Sequence, residues 1–119
     1  MPLTHLTVCT YPADGCTGFS ARYATTKPAR IITSADGSGY VENLAWRGWG
    51  SAEAQGSGVL EVDNCNPNCA QGTYTGYPAT VTLSRPTAYG NGKLAYAHMT
   101  VSAPTAPYPE ESFTTGLVP

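Results

Sequence analysis

Alternating apolar and polar residues predict β-strands along most of the chain. The clearest run is 77–84, in which Ala79, Val81 and Leu83 alternate with hydroxyl-bearing residues and so share one inward face. A second run, 93–103, follows an Asn-Gly pair, the strongest short signal for a β-hairpin. Its predicted inward residues are Ala97, Met99, Val101 and Ala103. These two runs predict a β-hairpin with one buried face and one solvent-exposed face.

Four shorter runs, 5–10, 29–34, 40–50 and 58–64, also have strand character. Regular alternation in 40–50 predicts that four residues lie on one side of the strand: Tyr40, Glu42, Leu44 and Trp46. The segment with the best helix propensity, 51–58, is cut by glycines and has no apolar face, so no helix is predicted.

Six or seven short strands at regular spacing are typical of an antiparallel sandwich or small barrel. We therefore expect an all-β, single-domain fold over 1–103, stabilised by disulfides. The remaining segment, 104–119, is rich in proline and predicts an extended C-terminal tail. The tail could pack on its own domain through Tyr108 and Phe113, or serve as a linker or docking arm.

Composition narrows the possible functions of this 119-residue chain. Only 12% of residues are charged, the net charge is −2, and the six basic residues are scattered. Nucleic-acid binding needs a basic patch, so that class is set aside. No apolar run is long enough to cross a membrane. No signal peptide is visible, yet export stays the expectation if a leader has been removed and Met1 added.

Four cysteines in a short, charge-poor chain favour disulfides. Three pairings are possible, and we favour the two local ones, Cys9–Cys16 and Cys65–Cys69, because each pair brackets turn-forming residues. A zinc site is disfavoured because only the C-x3-C pair approaches ligand spacing. A redox C-x-x-C motif is absent. We expect no metal and no cofactor.

The sequence gives only weak signals for sugar binding, catalysis or calcium binding. Trp46 is predicted to be buried, while Trp49 could belong to an exposed aromatic platform for sugars together with neighbouring tyrosines. His98 is predicted to lie on a solvent face with Tyr96, Thr100 and Ser102, and no nucleophile motif accompanies it. Oxygen-bearing side chains in 61–66 do not match the spacing of a calcium loop. We therefore expect a protein that is not an enzyme.

Two motifs carry a resemblance to a known group of proteins. W-x-x-W-G appears here as Trp46, Trp49 and Gly50, and C-x-P-x-C-A-x-G appears at 65–72, followed by the strand 78–84. In these features the chain resembles small, uncharacterised secreted proteins of actinobacteria, over roughly residues 29–102. The resemblance implies export and an oxidised Cys65–Cys69 pair, and it implies no particular activity.

The sequence thus predicts a secreted, non-enzymatic binding or adaptor module that contacts an extracellular protein or a cell-wall polymer. Tyrosine supplies large contact area at low entropic cost, which suits such a role. The alternative is a small protease inhibitor that presents the clamped 65–69 loop, although asparagine is an unusual residue for a protease specificity pocket. The oligomeric state is left open. The candidate binding residues are Trp49, Tyr74, Tyr77, Asn66, Asn68, Tyr108 and Phe113.

Overall fold

The computed structural model describes residues 6–9, 24–33, 39–68, 70–90, 93–107 and 109–114. Every regular element in these parts of the chain is a β-strand, which confirms the all-β prediction. The strands are β1 (Val8–Cys9), β2 (Ala24–Thr25), β3 (Ile31–Ile32), β4 (Gly39–Arg47), β5 (Glu53–Asp63), β6 (Tyr74–Gly90), β7 (Lys93–Ser102) and β8 (Glu110–Thr114).

The main sheet is an antiparallel meander in which strands β3 to β8 are neighbours in chain order. It curls into a half-barrel, while β1 and β2 form a separate two-stranded sheet. β6 ends at Gly90, and Gly90 pairs with Lys93 at the start of β7. β6 and β7 are thus antiparallel neighbours on either side of the Asn-Gly pair, as predicted, and consecutive strands pair throughout the main sheet.

The outer edge of β7 is shared by two distant segments. β8 pairs with 98–102 of β7, so part of the proline-rich tail returns to the sheet. Thr7 lies parallel to Ala95: its amide donates to the Leu94 carbonyl at 3.2 Å, and its carbonyl accepts from the Tyr96 amide at 2.9 Å. Segments near both ends of the chain thereby satisfy backbone groups of the same strand.

The predicted inward residues of the β6–β7 hairpin do form the core. Ala79, Val81 and Leu83 are buried, and so are Met99, Val101 and Ala103, whereas Ala97 is half-buried. Leu83 pairs with Met99 and Val81 with Val101, so each pair contributes two apolar side chains to the same face.

A β-bulge overturns the predicted faces of β4. Glu42 pairs with Val59 and Ala45 with Ser57, so Asn43 and Leu44 together oppose the single residue Gly58. Asn43 takes a left-handed conformation with φ of 57°, which asparagine tolerates better than most residues.

The bulge separates residues that regular alternation places together. Leu44 is buried and Trp46 packs against the core, but Tyr40 and Glu42 lie on the opposite, outer face. The prediction of one shared face was therefore wrong. The extra residue shifts the alternation by one, so Val41 and Leu44 can both reach the core.

The glycines in 51–58 mark close approaches within β5. A Cβ atom built on Gly56 would lie 2.8 Å from the Trp46 ring, and one on Gly58 would lie 2.5 Å from the Glu42 carbonyl oxygen. Both positions therefore require glycine, because neither the indole nor the bulged backbone leaves room for a side chain.

Candidate binding surface

The β5–β6 loop (64–73) is held by hydrogen bonds from its own residues. Asp63 at its start is buried, and its Oδ1 accepts the Cys65 amide at 2.8 Å. Asn64 Oδ1 accepts the amides of Asn66 and Thr73, both at 3.1 Å, and the Asn64 amide donates to the Thr73 carbonyl. The side chains of Asp63 and Asn64 thus accept backbone hydrogen bonds that the sheet no longer provides where β5 and β6 separate.

The far side of the loop forms a second turn. The Gln71 amide donates to Oδ1 of Asn68 at 3.0 Å, and the Asn66–Pro67 peptide bond is cis. Residues 66–68 are exposed at the tip. Gly72 closes the loop, since a Cβ there would overlap Asp63 Oδ1 and lie 2.8 Å from the Cys65 amide nitrogen. The loop therefore presents polar tips on a fixed backbone.

The two cysteines that the structure describes are at opposite ends of the sheet. Cys9 and Cys65 are each disulfide-bonded. Cys9 lies beside the first half of β7, which is aligned with the start of β5, whereas Cys65 follows the end of β5. The 11 residues of β5 span roughly 35 Å. Cys9 and Cys65 therefore do not bond to each other. Cys16 and Cys69 lie outside the described residues, so the local pairing stays a prediction.

An aromatic surface adjoins the loop on the outer face of the sheet. Tyr40 of β4 and Tyr74 of β6 meet above β5, with ring centroids 5.5 Å apart and planes tilted by 58°. The Arg30 guanidinium carbon lies 4.1 Å from the Tyr40 ring centroid, which is cation–π geometry. Tyr74 is 43% exposed. Among the described residues, it is the one large hydrophobic residue that is exposed to solvent.

Two carboxylates share this face. Glu61 pairs with Tyr40 on one side and Gly76 on the other, and a Cβ on Gly76 would lie 2.9 Å from Glu61 Oε2. Glu42 is the next outward residue of β4 after Tyr40. Partial burial raises the pKa of the Tyr40 phenol, and the charges of Glu42 and Glu61 raise that pKa further. We call Arg30, Tyr40, Glu42, Glu61 and Tyr74 the tyrosine face.

Trp49 serves internal packing in this structure. Its ring makes edge contacts with Trp46 at 5.0 Å and Tyr96 at 5.3 Å, and its indole nitrogen donates to the Leu6 carbonyl at 2.9 Å. Trp46 donates similarly to the Pro28 carbonyl at 2.7 Å. Both indoles are half-buried with their polar atoms bonded, so we leave Trp49 out of the candidate surface.

Tyr96 is fully buried, so its predicted position on a solvent face was wrong. β6 and β7 continue beyond the start of β5, and there Tyr96 meets the turn between β4 and β5. The Tyr96 hydroxyl accepts the Gly50 amide at 3.1 Å and donates to the Ser51 carbonyl at 2.8 Å. His98 on the same strand is half-buried, and its ring lies 3.5 Å from the Thr100 hydroxyl.

The other predicted binding residues are dispersed. Asn66, Asn68 and Tyr74 cluster at the loop end of the sheet, but Tyr77 packs against the core and is half-buried. Tyr108 lies outside the described residues, and Phe113 is described only by its backbone in β8. Arg30, Tyr40 and the two glutamates were not predicted as site residues, because only the β4–β5–β6 register brings them together.

Within the described residues, no group of three His, Cys, Asp or Glu side chains is arranged to hold a metal ion. The same part of the chain contains no helix long and apolar enough to span a membrane. Comparison with protein-family models, curated proteins and solved structures gives no match to this chain. The resemblance to secreted actinobacterial proteins therefore stays a prediction.

Proposed function

We propose that this protein is a secreted, non-enzymatic binding module, and that it contacts another extracellular protein or a cell-wall polymer through the β5–β6 loop and the tyrosine face. The observation that carries the proposal is the position of exposed Tyr74 directly beside a loop whose backbone is fixed by internal hydrogen bonds. These two features form one continuous end of the sheet.

Such an arrangement lowers the entropic cost of binding. A flexible loop would have to be ordered when the partner binds, whereas Asp63 and Asn64 already hold this one through four hydrogen bonds. Tyr74 has few rotatable bonds and is braced by Tyr40, so it offers contact area with little further ordering. Disulfide-bonded Cys9 and Cys65 support an oxidising, extracellular location.

The protease-inhibitor alternative rests on the same loop. Exposed residues 66–68 project from a hydrogen-bonded base, and inhibitors use rigid loops that resist cleavage. The loop turns back at Asn68, where Oδ1 of this residue accepts the Gln71 amide, and this leaves only a short segment for a protease cleft. We therefore rank inhibition second.

Affinity capture tests the binding-module proposal. The oxidised protein is immobilised and exposed to culture supernatant and to purified wall polysaccharide, and any captured component is purified for titration against variants. Tyr74→Ser and Asn66→Ala alter the candidate surface, while Ala52→Ser changes an exposed residue in the turn at the opposite end of β5.

We expect saturable binding that both surface variants weaken at least fivefold and that Ala52→Ser leaves unchanged. If the purified partner is a protease that loses activity on binding, the inhibitor alternative replaces the adaptor role. Absence of saturable binding, or equal binding by all three variants, overturns the proposal.

A further inference from the structure

We propose that the tyrosine face binds a cationic side chain, an arginine or lysine on an exposed segment of the partner protein. This inference rests on the proposed function and specifies the chemistry of the partner. Its basis is the combination, on one sheet face, of an exposed aromatic ring with carboxylates on adjacent strands.

The face already binds one guanidinium from its own chain. Arg30 lies over the Tyr40 ring at 4.1 Å, so a planar cation stacks on this surface in the folded protein. Tyr74 adjoins Tyr40 and remains 43% exposed, which leaves part of a second aromatic ring accessible to solvent. A partner cation placed against Tyr74 would repeat the internal contact one ring further along the face.

Carboxylates are placed to assist a cation at that position. Glu61 lies on β5 between the strands that carry the two tyrosines, and its Oε2 is 2.9 Å from the position that a Cβ on Gly76 would take, two residues from Tyr74. Because Gly76 has no side chain, the Glu61 carboxylate and a Val59 methyl group reach over β6 at this position, on the same outward face as the Tyr74 ring. A guanidinium or ammonium there could contact the ring and the carboxylate together.

The local charge is complementary to a cation. The tyrosine face contains one guanidinium, Arg30, and two half-buried carboxylates, Glu42 and Glu61. Both carboxylates act on the same phenol, since each raises the pKa of Tyr40. A neutral sugar would gain from the aromatic ring but would not require this charge, which favours a basic protein segment over a polysaccharide.

Peptide titration followed by NMR provides the test. The probe is the capped peptide acetyl-(Gly-Arg)3-amide, and its control replaces each arginine with citrulline, a neutral isostere. The variants are Glu61→Gln on the tyrosine face and Glu53→Gln, an exposed glutamate at the opposite end of β5. Backbone spectra of both variants establish that they remain folded.

We expect the arginine peptide to shift resonances of Tyr74 and Glu61, with binding weakened about two- to fivefold by Glu61→Gln and unchanged by Glu53→Gln. Raising NaCl from about 50 to about 500 mM should weaken this binding because the charges are partly exposed. Equal shifts with the citrulline peptide, or equal effects of the two glutamate variants, overturn the cationic site.

The same titration separates this inference from the proposed function. If purified polysaccharide binds at Tyr74 and Glu61→Gln leaves its affinity unchanged, the occupant is a glycan and the cationic inference fails while the binding module stands. If the arginine peptide binds as expected but affinity capture yields no saturable partner, the cation site stands and the proposed function fails.

Discussion

Replacing Gly72 by alanine tests whether the β5–β6 loop is packed as the structure shows. A Cβ at this position would overlap Oδ1 of Asp63 and would lie 2.8 Å from both Asn64 Oδ1 and the Cys65 amide nitrogen. None of these atoms can move freely: Asp63 is buried and accepts the Cys65 amide, and Asn64 Oδ1 accepts two amides. The added methyl group therefore displaces the hydrogen-bonded base of the loop.

The expected cost follows from the bonds that must break. The hydrogen bond from the Cys65 amide to the Asp63 carboxylate is worth about 1.5–3 kcal/mol, and the bonds to Asn64 contribute about 0.5–1.5 kcal/mol each. Asn64 is exposed, so water replaces part of what its bonds contribute. We therefore expect Gly72→Ala to lower the free energy of unfolding by about 2–4 kcal/mol. For a chain of this size that loss lowers Tm by roughly 8–16 °C.

Thermal unfolding followed by circular dichroism measures this shift, with Gly76→Ala as the matched control. A Cβ on Gly76 meets only the ends of two side chains, Glu61 Oε2 and Val59 Cγ1, each at 2.9 Å. The Glu61 carboxylate can rotate away and the stiffer Val59 side chain must shift slightly, so we expect the control to cost about 1 kcal/mol, less than Gly72→Ala. A Gly72→Ala protein that unfolds within 2 °C of the parent, or no lower than Gly76→Ala, would refute the described packing of the loop.

Four further predictions follow from the same structure. Tyr96→Phe removes the hydroxyl bonded to the β4–β5 turn and should cost about 1–2 kcal/mol in chemical denaturation. Burial raises the pKa of Tyr96 above its unfolded value, so the stability due to its neutral form is fully present below about pH 10 and is lost as pH rises through the folded pKa. Tm measured between pH 8 and 11.5 should therefore fall less steeply in Tyr96→Phe. Asn43→Val should destabilise by about 1–2 kcal/mol because φ is 57°, while Asn43→Gly should stay within about 1 kcal/mol of the parent. Peptide mapping without reduction should recover the two local disulfides predicted from the sequence, and a peptide that joins the two ends of the sheet would contradict the strand register.

Local pattern was sufficient to predict much of the sheet. Alternation in 77–84 identified its buried residues, because the pleat assigns successive side chains to opposite faces and β6 has no irregularity there. The Asn-Gly pair located the β6–β7 hairpin because its preference for a tight turn depends on neighbouring residues alone. These features needed no knowledge of distant contacts.

Other features depend on partners that are distant in sequence. The glycines that interrupt 51–58 argued against a helix, but their packing beside Trp46 and the Glu42 carbonyl is visible only once β4 and β5 are paired. Tyr96 is buried because the β4–β5 turn, 45 residues earlier, bonds its hydroxyl. The tyrosine face likewise needs the register of three strands, so it could not be derived from spacing.

The bulge at Asn43 decides which aromatic residues of β4 pack inside and which form the candidate surface. Val41 and Trp46 are separated by five positions, so an unbroken strand would point them to opposite faces. With Asn43 and Leu44 opposing Gly58, both reach the core, and Trp46 packs on Trp49. Tyr40 stays on the outer face, where Tyr74 and Arg30 meet it. One extra residue in β4 therefore permits a tryptophan core and an outward tyrosine on the same strand, and the proposed binding surface depends on the irregularity that simple alternation does not predict.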